Sequence, residues 1–247
     1  MEFNFALIIT ATISPKKIPF LKRTSQHDRL NDYISSFNKW CKSPFIKDII
    51  FVENSGYDLS FFRECSKHYP KKRIEIISTD KNNSFDKKLG KGYGEYLCFN
   101  EIIKKSNLIK KNNFFLKVTG RYFVKNFKQF IQEFLKYKPD MYVNLKDNLK
   151  FADSHIFGGS TTFFSKYILL NAKKINDTKG IFMEHCLAQS VLEGIVDGLH
   201  FKNFKIYPNI EGIIGTNNKK IKTNFIKLFK NNFYLKIKKY ILENKKY

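Results

Sequence analysis

Short apolar runs and amphipathic stretches alternate along the first 145 residues of the chain. The run FALIITATI (5–13) is continuous, rich in β-branched residues and followed by Ser14-Pro15, a pattern typical of a buried strand. Residues 25–41 carry apolar side chains at helical spacing after a suitable N-cap at Ser25, so they predict an amphipathic helix.

The same two patterns recur further along the chain. They predict strands over 46–56, 73–80, 113–120 and 140–145, and helices over 58–70, 91–106 and 126–139. Strand and helix thus alternate at least four times, which favours an α/β fold with a mostly parallel, three-layer sheet. Ligands of such sheets bind beyond the carboxyl ends of the strands, so the residues that follow each apolar run are candidates for binding.

The regular alternation of predicted strands and helices ends after residue 150. We expect a strand with a Gly-Gly bend and then a helix over 154–169, a helix over 180–195 and strand-like structure over 201–215. The last thirty residues carry ten Lys against one Glu, interleaved with large apolar residues. We therefore divide the chain into a domain (1–215) and a basic amphipathic helical tail (216–247).

Composition points to an anionic partner. The 247 residues carry a formal net charge of +23, which suits nucleic acid, an anionic membrane surface or a phosphorylated ligand, although Lys and Asn richness also accompanies an AT-rich genome. The four cysteines form no CxxC pair, so a disulfide framework and a structural zinc site are disfavoured and a reducing, cytosolic setting is expected. We see neither a signal peptide nor an apolar run long enough to cross a membrane.

Two loops carry candidate ligand contacts, each with a plainer explanation. Glycines at 90, 92 and 94 precede a helix, where free backbone amides and nearby lysines would meet phosphate or ribose. A flexible turn with solvated lysines explains the same pattern equally well. In the turn ENSG (53–56) a carboxylate would accept from ribose or a base edge, but ordinary turn chemistry is the favoured explanation.

Two further segments carry candidate catalytic groups. FLKVTGRYFVKN (115–126) is a predicted strand that ends in a cationic, glycine-containing corner. MEHCLA (183–188) places Glu184 at the start of a helix, as a general base or as a carboxylate that favours the helix dipole. HExxH and Ser-His-Asp signatures are absent.

The order of the segments ALIITATIS, FVENSG, GKGYGEYLCFNEI, FLKVTGRYFVKN and MEHCLA resembles that in nucleotide-sugar glycosyltransferases of the GT-A fold. It is most similar to small bacterial enzymes of capsule, O-antigen or lipooligosaccharide synthesis, several of which carry a K-x-T-G-R-Y segment. The resemblance covers roughly residues 5–215. It implies a GT-A-like three-layer sandwich and transfer of a sugar from a nucleotide sugar to a cell-surface glycan.

The resemblance also implies roles for the cationic corner. GT-A enzymes place a metal-binding Asp-x-Asp motif here, whereas this chain has no carboxylate from Phe114 to Phe130. We therefore expect no metal and no cofactor. Arg121 would make paired contacts to the diphosphate, Lys117 would act as a point charge, and Gly120 would let the backbone approach closely.

The remaining implied site residues fall into two groups. Expected contacts to the nucleotide sugar are Thr10, Thr12, Glu53, Asn54, Lys91, Gly92 and Tyr93. Glu184 is the expected general base of an inverting transfer, and Asp153, which precedes a strand expected to border the acceptor, is its rival.

The favoured interpretation is thus an enzyme with a nucleotide sugar as donor and a glycan or lipid-linked glycan as acceptor. Its basic tail would dock on an anionic membrane, on the cytoplasmic face of the plasma membrane. A sugar nucleotidyltransferase is the alternative, although TISPKKIPF after the first strand lacks the glycine- and arginine-rich loop of those enzymes. A non-enzymatic nucleic-acid-binding protein is a third possibility, but no nucleic-acid motif is present and we expect no nucleic-acid partner.

Overall fold

The computed structural model describes residues 4–221 and 225–243, and a seven-stranded sheet forms the centre of this part of the chain. The strands are β1 (Phe5–Ala11), β2 (Asp48–Glu53), β3 (Arg73–Ser78), β4 (Phe114–Thr119), β5 (Phe123–Val124), β6 (Met141–Tyr142), β7 (Leu145–Lys146), β8 (Phe151–Ala152), β9 (Ile156–Ser160), β10 (Phe201–Lys202) and β11 (Ile210–Glu211). The helices are α1 (Gln26–Lys42), α2 (Ser60–Lys67), α3 (Gly90–Lys105), α4 (Asn107–Lys111), α5 (Phe127–Tyr137), α6 (Leu169–Ala172), α7 (Met183–Val196) and α8 (Phe225–Glu243). A π-helical segment, Phe163–Ile168, runs directly into α6.

The central sheet is mostly parallel. Its strands lie in the order β10-β6-β9-β4-β1-β2-β3. β1 pairs in parallel with both β2 and β4, β2 with β3, and β6 with β10, whereas β9 runs antiparallel to β4 and β6. The carboxyl ends of β1, β2 and β4 therefore open at the same edge of the sheet.

Two apolar cores cover the two faces of the sheet. Leu7 and Ile9 of β1 pack in a cluster with side chains of α1, α2 and α5, whereas Ala6 and Ile8 belong to a second cluster with side chains of α3 and α7. Successive side chains of a strand point to opposite faces, so a strand buried on both faces must be apolar throughout. The predicted α/β, three-layer architecture is confirmed.

The predicted Gly-Gly bend is wrong, because Gly158 and Gly159 lie inside the regular strand β9. A Cβ atom on Gly159 would lie 2.0 Å from the carbonyl oxygen of Asp140, and one on Gly158 would lie 2.5 Å from that of Phe115. The glycines are thus needed because neighbouring backbone is close, not because the chain turns. Two predicted strands are shorter than expected. Within 201–215 the structure has only the two-residue strands β10 and β11, and within 140–145 it has β6 and the start of β7.

The tail forms a helix, as predicted, over the described residues 225–243. Leu235 of this helix is buried in the same cluster as α1 and α5, and Asn232 Oδ1 accepts a hydrogen bond from the Tyr207 amide at 2.7 Å. The division of the chain at residue 215 stays a prediction. Within the described residues, no helix is both long enough and apolar enough to span a bilayer.

Candidate functional site

A cavity lies at the edge of the sheet where β1 and β4 end. Its floor includes Thr10, the second-last residue of β1, and Thr119, the last residue of β4. Its walls come from the start of α3, the start of α7 and the segments 154–155 and 214–216. These six separate parts of the chain thus meet at the place where parallel sheets bind ligands.

Two arginines form the cationic wall of this cavity. Nη1 of Arg121 and Nη2 of Arg29 each donate a hydrogen bond to the hydroxyl oxygen of Tyr33, both at 3.0 Å. Arg29 also donates to the carbonyl oxygens of Thr12 (2.6 Å) and Arg23 (3.0 Å). Neither guanidinium of the pair forms an ion pair with a carboxylate of the described chain.

Within the described residues no carboxylate bonds directly to this pair, although the charge of Asp32 acts on both arginines from further away. Burial lowers the pKa of Arg29, and the neighbouring charge of Arg121 lowers it further although Tyr33 opposes both effects. Arginine nevertheless stays protonated in proteins, so two cations remain side by side. Such a pair favours an anion that carries more than one charge.

Gly120 positions the cationic corner against β1. Its amide donates to the carbonyl oxygen of Thr10 at 2.9 Å, and a Cβ atom here would lie 2.5 Å from that oxygen and 2.9 Å from the Tyr33 ring. Close backbone approach was predicted for Gly120, but the approach is to the end of β1. The next residue, Arg121, is thereby held beside Tyr33.

Lys117 lies beneath the cavity and does not line it. Its side chain is fully buried, and Nζ contacts Glu95 Oε1 at 2.7 Å, the carbonyl oxygen of Ser154 at 2.7 Å and Thr119 Oγ1 at 3.3 Å. Thr10 Oγ1 donates to the same Glu95 oxygen at 2.7 Å. The charge of Lys117 is thus paired with that of Glu95, and the pair joins α3 to β4. The expectation that Lys117 acts as a point charge toward the diphosphate stays a prediction.

Glu53 and Asn54 are also structural in this arrangement, which corrects their expected contact with the nucleotide. Both are fully buried. Glu53 accepts hydrogen bonds from the amides of Ile13 (2.9 Å) and Ser55 (3.0 Å), and burial raises its pKa although these bonds oppose the rise. Asn54 accepts from Thr12 Oγ1 at 2.7 Å and donates to the carbonyl oxygen of Gly94 at 2.6 Å. These bonds fasten the loop after β1 to β2 and α3.

Other expected donor contacts do reach the cavity. Thr10, Thr12, Lys91 and Gly92 all line it. Tyr93 does not line it; its ring is partly buried and packs against Phe85, Tyr96 and the apolar core.

The two expected carboxylates have different environments. Glu184 lines the cavity and, within the described residues, accepts one hydrogen bond, from Ser154 Oγ at 2.6 Å. Asp153 is buried, and its oxygens bind Lys146 Nζ at 2.9 Å and His155 Nδ1 at 2.6 Å. Burial alone would raise the pKa of Asp153, but the hydrogen bonds and charges of His155 and Lys146 lower it overall. A carboxylate that is saturated with donors and has a lowered pKa is a poor base, so Asp153 is not retained as the rival base.

Several residues of the site were missed from the sequence. His155 lines the cavity while Asp153 holds its Nδ1, so Nε2 is left for a ligand. Arg29 had a detectable signal, because it lies one turn before Tyr33 on the predicted apolar face of α1. Glu95 had no local signal, since its partners Thr10 and Lys117 lie on other elements.

The described residues contain no cluster of metal-ligating side chains. Among the described residues, no three His, Cys, Asp or Glu side chains are arranged to hold a metal ion.

No protein-family model matches the chain, and no curated protein matches it. Solved structures similar to it include the apo form of the glycosyltransferase GlyE of Streptococcus pneumoniae TIGR4, with 6% identity over 82% of this chain and 45% of that chain and a TM-score of 0.48. A cytidylyltransferase of Leptospira borgpetersenii has 12% identity over 90% of this chain and 82% of that chain, with a TM-score of 0.45. The 4-diphosphocytidyl-2C-methyl-D-erythritol synthase of Anaerococcus prevotii has 14% identity over 94% and 96%, with a TM-score of 0.44. At these identities and TM-scores, none of them assigns an activity to this chain.

Proposed function

We propose that the chain is a nucleotide-sugar-dependent glycosyltransferase in which the arginine pair binds the donor diphosphate. The observation that carries this proposal is the meeting of Arg121 and Arg29 at the Tyr33 hydroxyl, in a cavity at the carboxyl ends of β1 and β4. Guanidinium groups bind phosphate oxygens through charge-assisted hydrogen bonds, and fixed cations stabilise the charge that develops on a leaving group.

Arg121 is the better placed of the two for direct contact. Arg29 is 3% exposed and donates to Thr12, Arg23 and Tyr33. Arg121 is half-buried and donates to Ile213 and Tyr33. A Cβ atom on residue 215 would lie 2.9 Å from Nη2 of Arg121, so a larger residue there would crowd the guanidinium. Arg29 would add charge, and Arg121 would hold the diphosphate without a divalent metal.

The remaining roles follow from the walls of the cavity. Thr10, Thr12, Lys91 and Gly92 would contact the nucleotide or the sugar. Glu184 would take the proton of the acceptor hydroxyl while the oxygen of that hydroxyl attacks the anomeric carbon. The bond from that carbon to the diphosphate would break with inversion.

His155 is a second candidate for the base. Its hydrogen bond to Asp153 at 2.6 Å favours the tautomer with the proton on Nδ1, so Nε2 could accept a proton from the acceptor. Glu184 remains the first choice because it keeps a carboxylate oxygen without a described hydrogen bond.

The alternative is a sugar nucleotidyltransferase, since an arginine pair would also suit a nucleoside triphosphate. The loop after β1 carries no glycine- and arginine-rich segment, and Glu53 fastens it at Ile13. A surface glycan as acceptor, carried on lipid at the inner face of the plasma membrane, is proposed from the motif resemblance and the basic tail.

Thermal melting with nucleotide sugars tests the proposal, because a ligand that binds only the native state raises the melting temperature. We expect a stabilising nucleotide sugar to lose its effect in Arg121→Ala and keep it in Arg63→Ala, an exposed arginine on α2 that serves as control. Transfer should fall about 100- to 1,000-fold in Arg121→Ala and persist in EDTA. The base is assigned by whichever of Glu184→Gln and His155→Gln causes the larger loss of kcat while the ligand still stabilises.

The product distinguishes the alternatives. A glycosyltransferase consumes a nucleotide sugar and releases the nucleotide on transfer. Pyrophosphate release from a nucleoside triphosphate and a sugar phosphate would instead establish the nucleotidyltransferase. Salt-sensitive RNA or DNA binding without nucleotide-sugar stabilisation would favour the nucleic-acid-binding alternative.

A further inference from the structure

The inner face of α8 fixes this helix to the domain. Leu235 is 2% exposed and packs in the cluster formed with α1, α2 and α5. Asn232 accepts the amide hydrogen bond of Tyr207 at 2.7 Å. The orientation of the helix about its axis is thereby set, and with it the face that points away from the domain.

The outer face is an exposed apolar stripe. Ile226, Phe229, Phe233 and Ile237 follow one another at spacings of three, four and four residues, which places them along one side of a helix. Their exposed fractions are 64%, 65%, 58% and 44%. Tyr234, which is 58% exposed, lies beside them. Contiguous exposed apolar surface of this kind marks an interaction site.

Positive charge borders the stripe. At about 100° per residue, Lys236 lies at one edge of the stripe and Lys230 lies at the other. The last thirty residues of the sequence hold ten Lys and one Glu. A second copy of the chain would bring an equally cationic surface against this one, which is unfavourable. An anionic bilayer complements both the lysines and the apolar stripe.

We propose that α8 lies in the plane of an anionic membrane, with the side chains of Phe229 and Phe233 inserted at the boundary of headgroups and acyl chains. The lysines beside the stripe contact lipid headgroups. Leu235 on the opposite face carries the domain, so the helix docks the whole chain. The proposed lipid-carried acceptor shares the basic tail with this inference, whereas the proposed sugar transfer depends on the arginine pair and not on α8.

Co-sedimentation of the full chain with vesicles tests the proposal. The probes are vesicles of phosphatidylcholine alone and of phosphatidylcholine with 30% phosphatidylglycerol. We expect binding to the anionic vesicles that exceeds binding to the neutral ones by roughly tenfold or more, and that weakens with added salt. The double variant Phe229→Ser/Phe233→Ser should bind anionic vesicles at least about tenfold more weakly.

Two matched variants complete the design. Phe61→Ser removes a phenylalanine that is 49% exposed on α2 and should bind like the unaltered chain. Lys230→Glu/Lys236→Glu should lose binding to anionic vesicles by roughly tenfold or more, without a change on neutral vesicles. All substituted side chains are exposed, and unchanged melting temperatures will establish that the variants are folded.

Three results would overturn the proposal. The first is equal binding to neutral and anionic vesicles. The second is anionic binding that survives loss of both phenylalanines. The third is a concentration-dependent dimer that disappears in the double phenylalanine variant, which would identify a second copy of the chain as the occupant.

Discussion

Glu184 and Glu53 are both carboxylates at the edge of the sheet, but they differ in what the neighbouring chain supplies. Glu53 receives amide donors from Ile13, Ser55 and Tyr57 and is fully buried. Glu184 receives one hydroxyl and faces the cavity. At the scale of a residue, therefore, a polar side chain stabilises the fold when its hydrogen bonds are all made within the protein. It is available to a ligand when some of its hydrogen-bonding capacity is unused.

The pH dependence of stability reports such a satisfied carboxylate. The pKa of Asp153 is lowered in the folded chain, so the charged form contributes stability above the ordinary carboxyl pKa. That contribution is lost as the pH falls through the lowered folded pKa. We expect Asp153→Asn to cost roughly 1–3 kcal/mol at pH 6, because Lys146 and His155 lose their partner but stay partly exposed, and to flatten the decline in stability below about pH 4.

Urea unfolding at several pH values measures this effect. Asp80→Asn, at an exposed aspartate, is the control and should keep the pH dependence of the unaltered chain. Parallel stability curves for Asp153→Asn and the unaltered chain would show that the pKa of Asp153 is not lowered.

At the scale of an element, β9 shows why glycine is found inside a strand. This strand runs antiparallel between β4 and β6, and backbone from both sides comes close to it. A side chain at residue 159 would require the start of β6 to move. Glycine weakens an isolated strand, yet here it is what allows the two neighbours to pair.

Gly159→Ala should therefore destabilise the chain by about 3 kcal/mol, because the new Cβ atom would lie 2.0 Å from the carbonyl oxygen of Asp140. Gly94→Ala is the matched control. Its Cβ atom would meet no atom closer than 3.4 Å, and alanine favours the helix, so stability should stay unchanged or rise by up to about 1 kcal/mol. Chemical denaturation measures both, and equal effects would contradict the steric explanation.

At the scale of the whole molecule, α8 links a basic, apolar surface to the domain. Among the side chains described on this helix, Leu235 enters the core and Asn232 accepts a hydrogen bond from the Tyr207 amide. Such contacts stabilise the helix, because an isolated helix is marginal in water. The orientation of the exposed stripe thus depends on Leu235 and Asn232.

Leu235→Ala should loosen α8 without unfolding the sheet. Hydrogen exchange of the α8 amides should become about tenfold faster or more, whereas β1 amides should be unchanged. Phe233→Ala, at an exposed position of the same helix, should leave both rates as they are. Uniformly faster exchange in the Leu235 variant would show instead that α8 and the domain unfold as one unit.

The sequence by itself determined the α/β layering, most element positions and the edge of the sheet where the cavity lies. These features depend on the spacing of apolar residues, which is local information. It also determined that Arg121 follows the central strand β4 and that the tail is basic. It misplaced the Gly-Gly bend, because close backbone approach and a turn both call for glycine.

Only the tertiary structure decided which polar residues are accessible to a ligand. Lys117 is neutralised by Glu95, and Arg121 meets the Tyr33 hydroxyl 88 positions away in the sequence. The same holds for α8, whose exposed stripe is defined by the burial of Leu235. The charge and hydrogen-bonding capacity of a side chain are set by partners that folding brings from distant segments, and no local pattern contains them.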